Sequence, residues 1–541
     1  MQEACSLDDR VAQRRSRVTI QVVDDPILSF IMTDQSSDRA RLARRDFVRE
    51  LTGILAMGGA GLHIPLSTPD SAVDASGRAS TETFVGIQMG PHTMLDEGIE
   101  HTLDLIQDKA AVNVVMPYSH GYNGAFVKPL KSRASHGVLL TDNTGRKFPL
   151  VWVKTHDRYY THTTLRHQVV DATFEHHDRD LFHEMAEPAR KRGMKIYARV
   201  LEAGGRTIAN FSKVVTRDID DRPTRTACWN HPEYIGFWTD TMEDLFRSYD
   251  LDGIQWGAER QGPLMNVVSP WDSRAPTCFC EFCVARGKAK GIDPERARQG
   301  FRDLYNLAQG HGDTRHADGV FASYLRVIMR YPEILSWEYQ YRLSREEICA
   351  SMYKRVKEIK PTAEVGWHVD QQPSSWDMVY RAEMSYEEMA PHSDFIKPIV
   401  YHSVLGPRIR DWYLPRFKKT FLSEISLETS LELYYDLFGY DENKEPKLDD
   451  LARKGFSPEY VYREIRRSVA SANGKTKIYA GVGFDVPGSP PDTPDAVYQA
   501  TLKSFEAGAS GVVASREYEE MKVEHLAAFG RAVRVGARGE G

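Results

Sequence analysis

The chain is poor in cysteine. Six thiols in 541 residues are too few for a disulfide framework. It has no apolar run long enough to cross a bilayer: the weakly apolar stretch from Leu51 to Leu66 is short and interrupted by glycine. It lacks an excess of positive charge. Against 76 acidic residues stand 70 lysines and arginines, a net charge of −6, so nucleic acid is not an expected partner. No phosphate-cradling G-x-x-x-x-G-K-[ST], no G-x-S-x-G elbow and no H-E-x-x-H occurs, which removes the common nucleotide, serine-hydrolase and metalloprotease readings. No organic cofactor is expected, and no repeat or separate binding module is visible.

What is present is a regular alternation. Apolar content of 41% is enough for a sizeable core. Eight short strand-like runs occur: FVGIQMG (84–90), AVNVVMPY (111–118), MKIYARVLEA (194–203), LDGIQWG (251–257), AEVGWHV (363–369), DFIKPIVYH (394–402), TKIYAGVGF (476–484) and ASGVVAS (509–515). Helical patterns separate nearly all of them. Strands alternating with helices imply parallel βα units, and eight units imply an α/β fold of the (β/α)8 TIM-barrel type. Long insertions are expected after strand 2 (about 119–177, with hairpin-like text at 136–154) and after strand 4 (about 258–330). In such barrels the loops that follow the strands build the active face. A doubly wound sheet is the alternative, but no glycine loop of the phosphate-binding kind follows the first strand.

The N-terminus reads as an address rather than fold. Arg44-Arg45 followed by Asp46-Phe47-Val48 and a short apolar stretch has the layout of a twin-arginine export signal. Val73-Asp74-Ala75 offers a cleavage site, and Met32 is a more ordinary start than Met1. Residues 1–75 are therefore read as signal and extension. Residues 76–541 are read as a single barrel, periplasmic or secreted, with no membrane insertion once the signal is removed. A cytoplasmic protein with a basic arm is the alternative. A homo-oligomer is compatible with the sequence.

Three of the six thiols crowd into CFCEFC, as Cys278, Cys280 and Cys283, and Cys228 stands upstream in TACWNHPEYIGFW. Four thiols thus bracket one βα unit, the last three at C-x-C-x-x-C spacing. That spacing lets four thiolates converge on a structural Zn2+, closed to water. A disulfide or inert thiols are the other readings. A lone cysteine in C-x-N-x-P, a carboxylate ending the fourth strand and then C-x-C-x-x-C together resemble the β-galactosidase barrels of glycoside hydrolase family 42. The likeness covers about 60 residues. It implies a four-Cys zinc site and a catalytic acid at Glu259. The chain departs from that family where it reads Trp256-Gly257-Ala258-Glu259-Arg260 in place of Asn-Glu, and it shows no clear Glu ending the seventh strand. β-Galactosidase specificity is therefore not carried over.

Glycoside hydrolysis needs two carboxyl groups flanking one bond. Glu259 is expected to be the general acid, its proton held by apolar neighbours such as Trp256. Its partner is sought at Asp485, which follows the seventh strand, or at Asp370, which follows the fifth. Glu202 ends the third strand. Glu424 and Glu428 read as a helix face, and Asp252 as a brace at the other end of the barrel. Polar residues at strand ends are candidates to hold sugar hydroxyls: Gln88, His92, Tyr118, His120, Arg199, His368, Tyr401, His402 and Arg516, with Arg260 beside the acid. Trp256, Trp367 and Trp376 can stack on a sugar ring or belong to the core. The histidines between His156 and His177 fit no metal motif. The expected function is an exported glycoside hydrolase-like enzyme acting on a carbohydrate. A carbohydrate-binding, lyase or isomerase barrel is the alternative.

Overall fold

The structure, a computed structural model, describes residues 83–121, 135–137, 147–167, 171–202, 205, 207–270, 274–310, 318–383 and 385–538. The arginine pair, the apolar run after it and Ala75 lie outside the described residues, as does 138–146 of the hairpin-like text.

All eight strand-like runs are strands of one closed barrel. They are β1 (Phe84–Met89), β2 (Val114–His120), β3 (Lys195–Leu201), β4 (Gly253–Gly257), β5 (Glu364–Val369), β6 (Phe395–Pro398), β7 (Lys477–Gly483) and β8 (Gly511–Ser515). Each pairs in parallel with its sequence neighbours, and β8 returns to β1, with Phe84 opposite Gly511 and Ile87 opposite Ala514. The helices that return the chain are α1 (Ile99–Ala110), α2 (Leu181–Lys191), α3 (Pro232–Ser248), α4 (Glu333–Ile359), the single turn α5 (Tyr386–Met389), α6 (Pro458–Ala472), α7 (Pro494–Glu506) and α8 (Val523–Gly536). Local chemistry fixes several starts. Asp180 and Thr493 cap α2 and α7 with their side chains, and proline opens α3, α6 and α7, where its missing N–H costs nothing.

Side chains two apart on a strand share a face, so the barrel interior can be read in steps of two. Its floor is aromatic. Phe84 stacks on Tyr479 at 3.9 Å between ring centroids, and Phe395 and Tyr197 complete the layer. Such ring pairs contribute about 0.5–1.5 kcal/mol each beyond their buried area. Glycines admit this bulk: a Cβ on Gly366 would lie 2.2 Å from the Phe395 ring. Two residues further along, the interior turns polar. Phe395 is followed by Lys397, Val513 by Ser515, Tyr197 by Arg199, Gly253 by Gln255 and Gly366 by His368. A glycine again makes room, because a Cβ on Gly481 would lie 2.3 Å from Lys397 Cε. The fold therefore sets an apolar plug under a polar mouth. Asp252 ties the opposite end, accepting from Ile196 N at 2.7 Å and from Arg190 at 2.6 Å.

Four connections on the mouth side are long. One runs from β2 to α2 and another from β4 to α4. The second carries the helices Pro263–Val268, Glu281–Ala289, Pro294–Ala308 and Val320–Arg330. Two more were not expected. After β3 the chain makes the hairpin Val215–Arg217 with Pro223–Ala227. After β6 it runs through the helices His402–Arg408, Leu414–Lys418, Leu427–Phe438 and Leu448–Lys454. This second text is amphipathic and so reads in sequence as an ordinary βα helix. Glu428 lies in the first turn of Leu427–Phe438, and Glu424 accepts from Val320 N at 3.0 Å. No helix among the described residues is long and apolar enough to cross a membrane.

Candidate active site and metal centre

At the polar end of the barrel the buried Lys397 amine is the hub. Its Nζ donates to Ser515 Oγ at 2.5 Å and to Gln88 Oε1 at 3.3 Å, and it contacts His368 Nδ1 at 3.5 Å. Gln88 also receives Ser515 Oγ at 2.8 Å and gives its amide to Gln255 at 2.7 Å, while Tyr401 OH meets Ser515 Oγ at 2.7 Å. Burial, and then the Arg199 charge, push the Lys397 amine well below the ordinary lysine range. Neither Lys397 nor Ser515 is among the residues singled out from sequence. Both lie on the interior period of their strands, and that period was the available signal.

His368 connects this hub to Glu259. Its Nε2 lies 3.1 Å from Glu259 Oε1. Burial, with Lys397 and Arg199 nearby, pushes the imidazole well below its usual pKa, so the ring is neutral. With Nδ1 facing the lysine amine, the proton belongs on Nε2, and His368 donates to the carboxylate. Glu259 itself follows the end of β4 and is 27% exposed at its side chain, so it is reachable from outside.

Asp370 follows β5, the neighbouring strand. Together with Glu259 it lines a cavity of about 30 Å³, room for a water rather than a sugar ring. A group larger than a water therefore reaches the pair only from the open mouth. Trp256, Trp367 and Arg260 form the cavity's walls, and the π-helical turn Gln372–Trp376 supplies Gln372. Burial, and then the Glu259 charge, push the Asp370 carboxyl up to about 6. The sequence expectation put the proton on Glu259. In the structure the carboxyl that burial and a neighbouring charge raise is Asp370. Trp256 and Trp367 continue a ladder of edge-to-face rings with Trp238, at 6.2 and 5.8 Å between centroids. They belong to the core and the cavity at once. Trp376 stacks on Tyr413 at 3.8 Å within the core.

Asp485 does not join the pair. It has a positive φ of 53°, and its carboxylate turns to α8, accepting from His525 Nδ1 at 2.7 Å and Lys522 N at 2.9 Å. It ties β7 to the last helix. A different carboxylate, Glu517, faces the mouth just past β8. It accepts from Arg199 and from Tyr118 OH, each at 3.0 Å, and the guanidinium lies 4.1 Å above the Tyr118 ring. Burial raises the Glu517 carboxyl. The neighbouring Arg516 is bonded instead to Glu520. The sequence reading took Arg516 and passed over Glu517.

Glu202 is held through one of its two oxygens, Oε1. It accepts from Trp229 Nε1 at 2.8 Å, Tyr234 OH at 2.7 Å and Arg260 Nη2 at 2.8 Å. Arg260 lies 3.8 Å above the Trp229 ring and also donates to Ala227 O. Arg260→Met leaves a buried carboxylate without its counter-charge. It is expected to lower unfolding free energy by about 3–5 kcal/mol, measured by urea denaturation. His92 packs on Phe148 at the rim. His120 is buried against His167, at 4.4 Å between ring centroids, and burial holds its pKa down to about 3. His402 leaves the mouth and faces Asp492.

The four cysteines do come together. Cys228, Cys278, Cys280 and Cys283 are buried, and their sulfurs all lie within 4.8 Å of one another. Cys228 Sγ is 3.5 Å from both Cys283 Sγ and Cys280 Sγ. Four sulfurs about 2.3 Å from one tetrahedral ion would be about 3.8 Å apart, so the set is sized to hold a metal ion. The described cysteines are all free thiols. Hydrogen bonds from the other three, Cys228 first, drive Cys280 strongly toward thiolate, and Cys280 is also the N-cap of Glu281–Ala289, where negative charge is favoured. The cluster packs beside Phe279 and Trp337, and Trp337 Nε1 and Gln340 Nε2 on α4 donate to Cys278 O and Cys283 O, each at 3.3 Å.

No family model and no curated protein matches the sequence. Its structural neighbours are glycoside hydrolases. The glycoside hydrolase domain of PgaB (BpsB) from Bordetella bronchiseptica is 12% identical, with 84% of this chain and 98% of that one covered and a TM-score of 0.44. The catalytic domain of a β-amylase from Paenibacillus polymyxa gives 12%, 84%, 98% and 0.43. A β-galactosidase from Halorubrum lacusprofundi gives 12% identity and 0.45, and there the chain spans 58% of the neighbour's length. Likeness this loose carries no argument about chemistry, which rests on the site.

Proposed function

We infer that the chain is an exported enzyme that hydrolyses a glycosidic bond with the carboxyl pair Asp370 and Glu259. The observation that supports this is one cavity lined by two carboxyls, that of Asp370 raised to about 6, placed at the mouth ends of adjacent barrel strands. A carboxyl raised by burial beside a second carboxyl is the arrangement of an acid and its partner. Asp370, its carboxyl raised to about 6, carries the proton to the leaving oxygen. Glu259, held by His368, serves as nucleophile or as base toward water. Arg199, Tyr118 and Tyr401 are the polar side chains that would orient sugar hydroxyls over Lys397. A carboxyl separation near 5 Å in the working complex means retention of configuration, and about 6.5–9.5 Å means inversion.

The four-Cys cluster is read as a structural zinc site. Four thiolates leave no position open for water, so the ion supplies cross-linking rather than chemistry.

The experiment is hydrolysis of a broad panel of glycosides and oligosaccharides by the wild type and Glu259→Gln. Release of reducing sugar by the wild type, lower by about three orders of magnitude in the variant, is the expected result and also names the sugar. A variant as active as the wild type removes Glu259 from the mechanism. A panel with no hydrolysis at all moves the reading to a binding protein, lyase or isomerase on the same barrel.

A further inference from the structure

The helix Val320–Arg330, in the β4 excursion, is apolar on nearly every side. In its text, VFASYLRVIMR, only Ser323, Arg326 and Arg330 lack an apolar or aromatic side chain. A helix of that composition is ordinarily buried all round. This one is buried on one side only. Ser323 and Tyr324 are buried, and Val320, Val327 and Ile328 pack against the cluster that holds the four cysteines. The other side carries Phe321, Leu325 and Met329, which are 44%, 43% and 81% exposed. Phe321 keeps a ring neighbour, Phe421, at 6.4 Å between centroids. Leu335 and Tyr339, one turn apart at the start of α4, are 50% and 49% exposed. Five of the seven exposed large hydrophobic residues among those described thus fall within 321–339, so the exposure is local rather than scattered.

The spacing says what covers the stripe. Phe321, Leu325 and Met329 are four apart, so they lie in one row with Leu325 at its midpoint. Such a row is complementary to itself. When two copies meet antiparallel about a two-fold axis, Leu325 meets Leu325, and Phe321 meets Met329 of the second copy, ring against thioether. The charges at the ends agree. Asp318 precedes the helix and Arg330 ends it, so antiparallel copies bring the acid of one to the base of the other at both ends. Within the chain Asp318 pairs with Arg326 at 2.6 Å, but the two are 63% and 57% exposed, a loose surface pair that a second cation can join. The area is sufficient. At about 200 Å² for a fully exposed large side chain, the five residues offer about 500 Å² per copy. Two copies then cover about 1,000 Å² of apolar surface before any rim contact, the size at which specific interfaces begin. A net charge of −6 disfavours an anionic lipid surface as the occupant.

We propose that the helix Val320–Arg330 is a dimerisation face, pairing antiparallel with the same helix of a second copy about a two-fold axis at Leu325. The proposal is independent of the Asp370–Glu259 pair and stands whether or not that pair hydrolyses anything.

The test is sedimentation equilibrium of the full chain, with cysteine cross-linking to read the register. The wild type is expected to dimerise with a Kd of about 10 µM or tighter. Leu325→Glu changes an exposed side chain and sets like charges face to face on the axis. It is expected to weaken association about a hundredfold or more, with the far-ultraviolet circular dichroism unchanged. Under mild oxidation Leu325→Cys is expected to cross-link across the axis. Phe321→Cys is not, because its two copies lie about 12 Å apart along the pair, beyond the reach of a disulfide. The wild type, with its own thiols, is the blank. A chain that stays monomeric at about 100 µM overturns the proposal. So does a dimer that Leu325→Glu leaves intact, or one in which Phe321→Cys cross-links as readily as Leu325→Cys. Monomers that bind anionic vesicles, and lose that binding in Leu325→Glu, overturn it in favour of a lipid surface.

Discussion

Asp370→Asn is expected to lower kcat on natural glycosides by about three orders of magnitude or more, while aryl glycosides with good leaving groups lose far less. The asymmetry follows from the role. An amide cannot protonate a leaving oxygen, but a phenolate departs without help. Glu259→Gln is expected to cost a similar factor on both substrate types, because nucleophile or base is needed whatever leaves. The pH profile carries a second signature. Asp370 holds its proton up to about 6, so kcat/KM falls as pH rises through that value. The Glu259 charge is one cause of the raised value. Residual activity in Glu259→Gln should therefore begin to fall at lower pH than in the wild type. An alkaline limb that stays in place in Glu259→Gln, or equal losses on both leaving groups in Asp370→Asn, would falsify the assignment of the proton to Asp370.

Cys228→Ser is expected to remove the bound metal and to lower the melting temperature by about 5 °C or more. Replacing one of four thiolates breaks the tetrahedron and leaves three buried thiols to share protons. Elemental analysis should show about one zinc per chain in the wild type and less than half an equivalent in the variant. The damage should reach the mouth. Ala227, next to Cys228, accepts from Arg260, and Arg260 both holds Glu202 and lines the cavity with Glu259. A variant with full zinc and an unchanged melting temperature rules out the four-Cys metal site.

The barrel was legible because parallel strands are buried on both faces and so appear as short apolar runs between helices. The four-Cys cluster was legible for a different reason: thiols are rare here, and four of them bracket one βα unit. The mouth was legible only in part. Residues on the interior period that are visibly polar, such as Gln88 and His368, were picked out. Lys397 and Ser515 share that period but sit in text that reads as strand. Asp485 misled because its position past β7 was right while its backbone, at positive φ, turns the carboxylate to α8. Arg516 has a positive φ too, of 85°, and beyond that bend it is the Glu517 side chain that meets Arg199 and Tyr118, while Arg516 offers Arg199 only its backbone carbonyl. Sequence marks where a strand ends. It does not carry the one-residue turn that decides which neighbour looks inward.

The tryptophan ladder has an optical consequence. Trp238, Trp256 and Trp367 are dry, rigid and nearly perpendicular in sequence, at 81° and 82°. Indoles held so close and at fixed angles couple their transition dipoles, giving near-ultraviolet circular dichroism and blue-edged emission that a molten chain loses. Two of the three also wall the cavity between the carboxyls. The chain thus carries its own chromophore in the wall of the cavity between the two carboxyls, and occupancy there can be followed by light without any label.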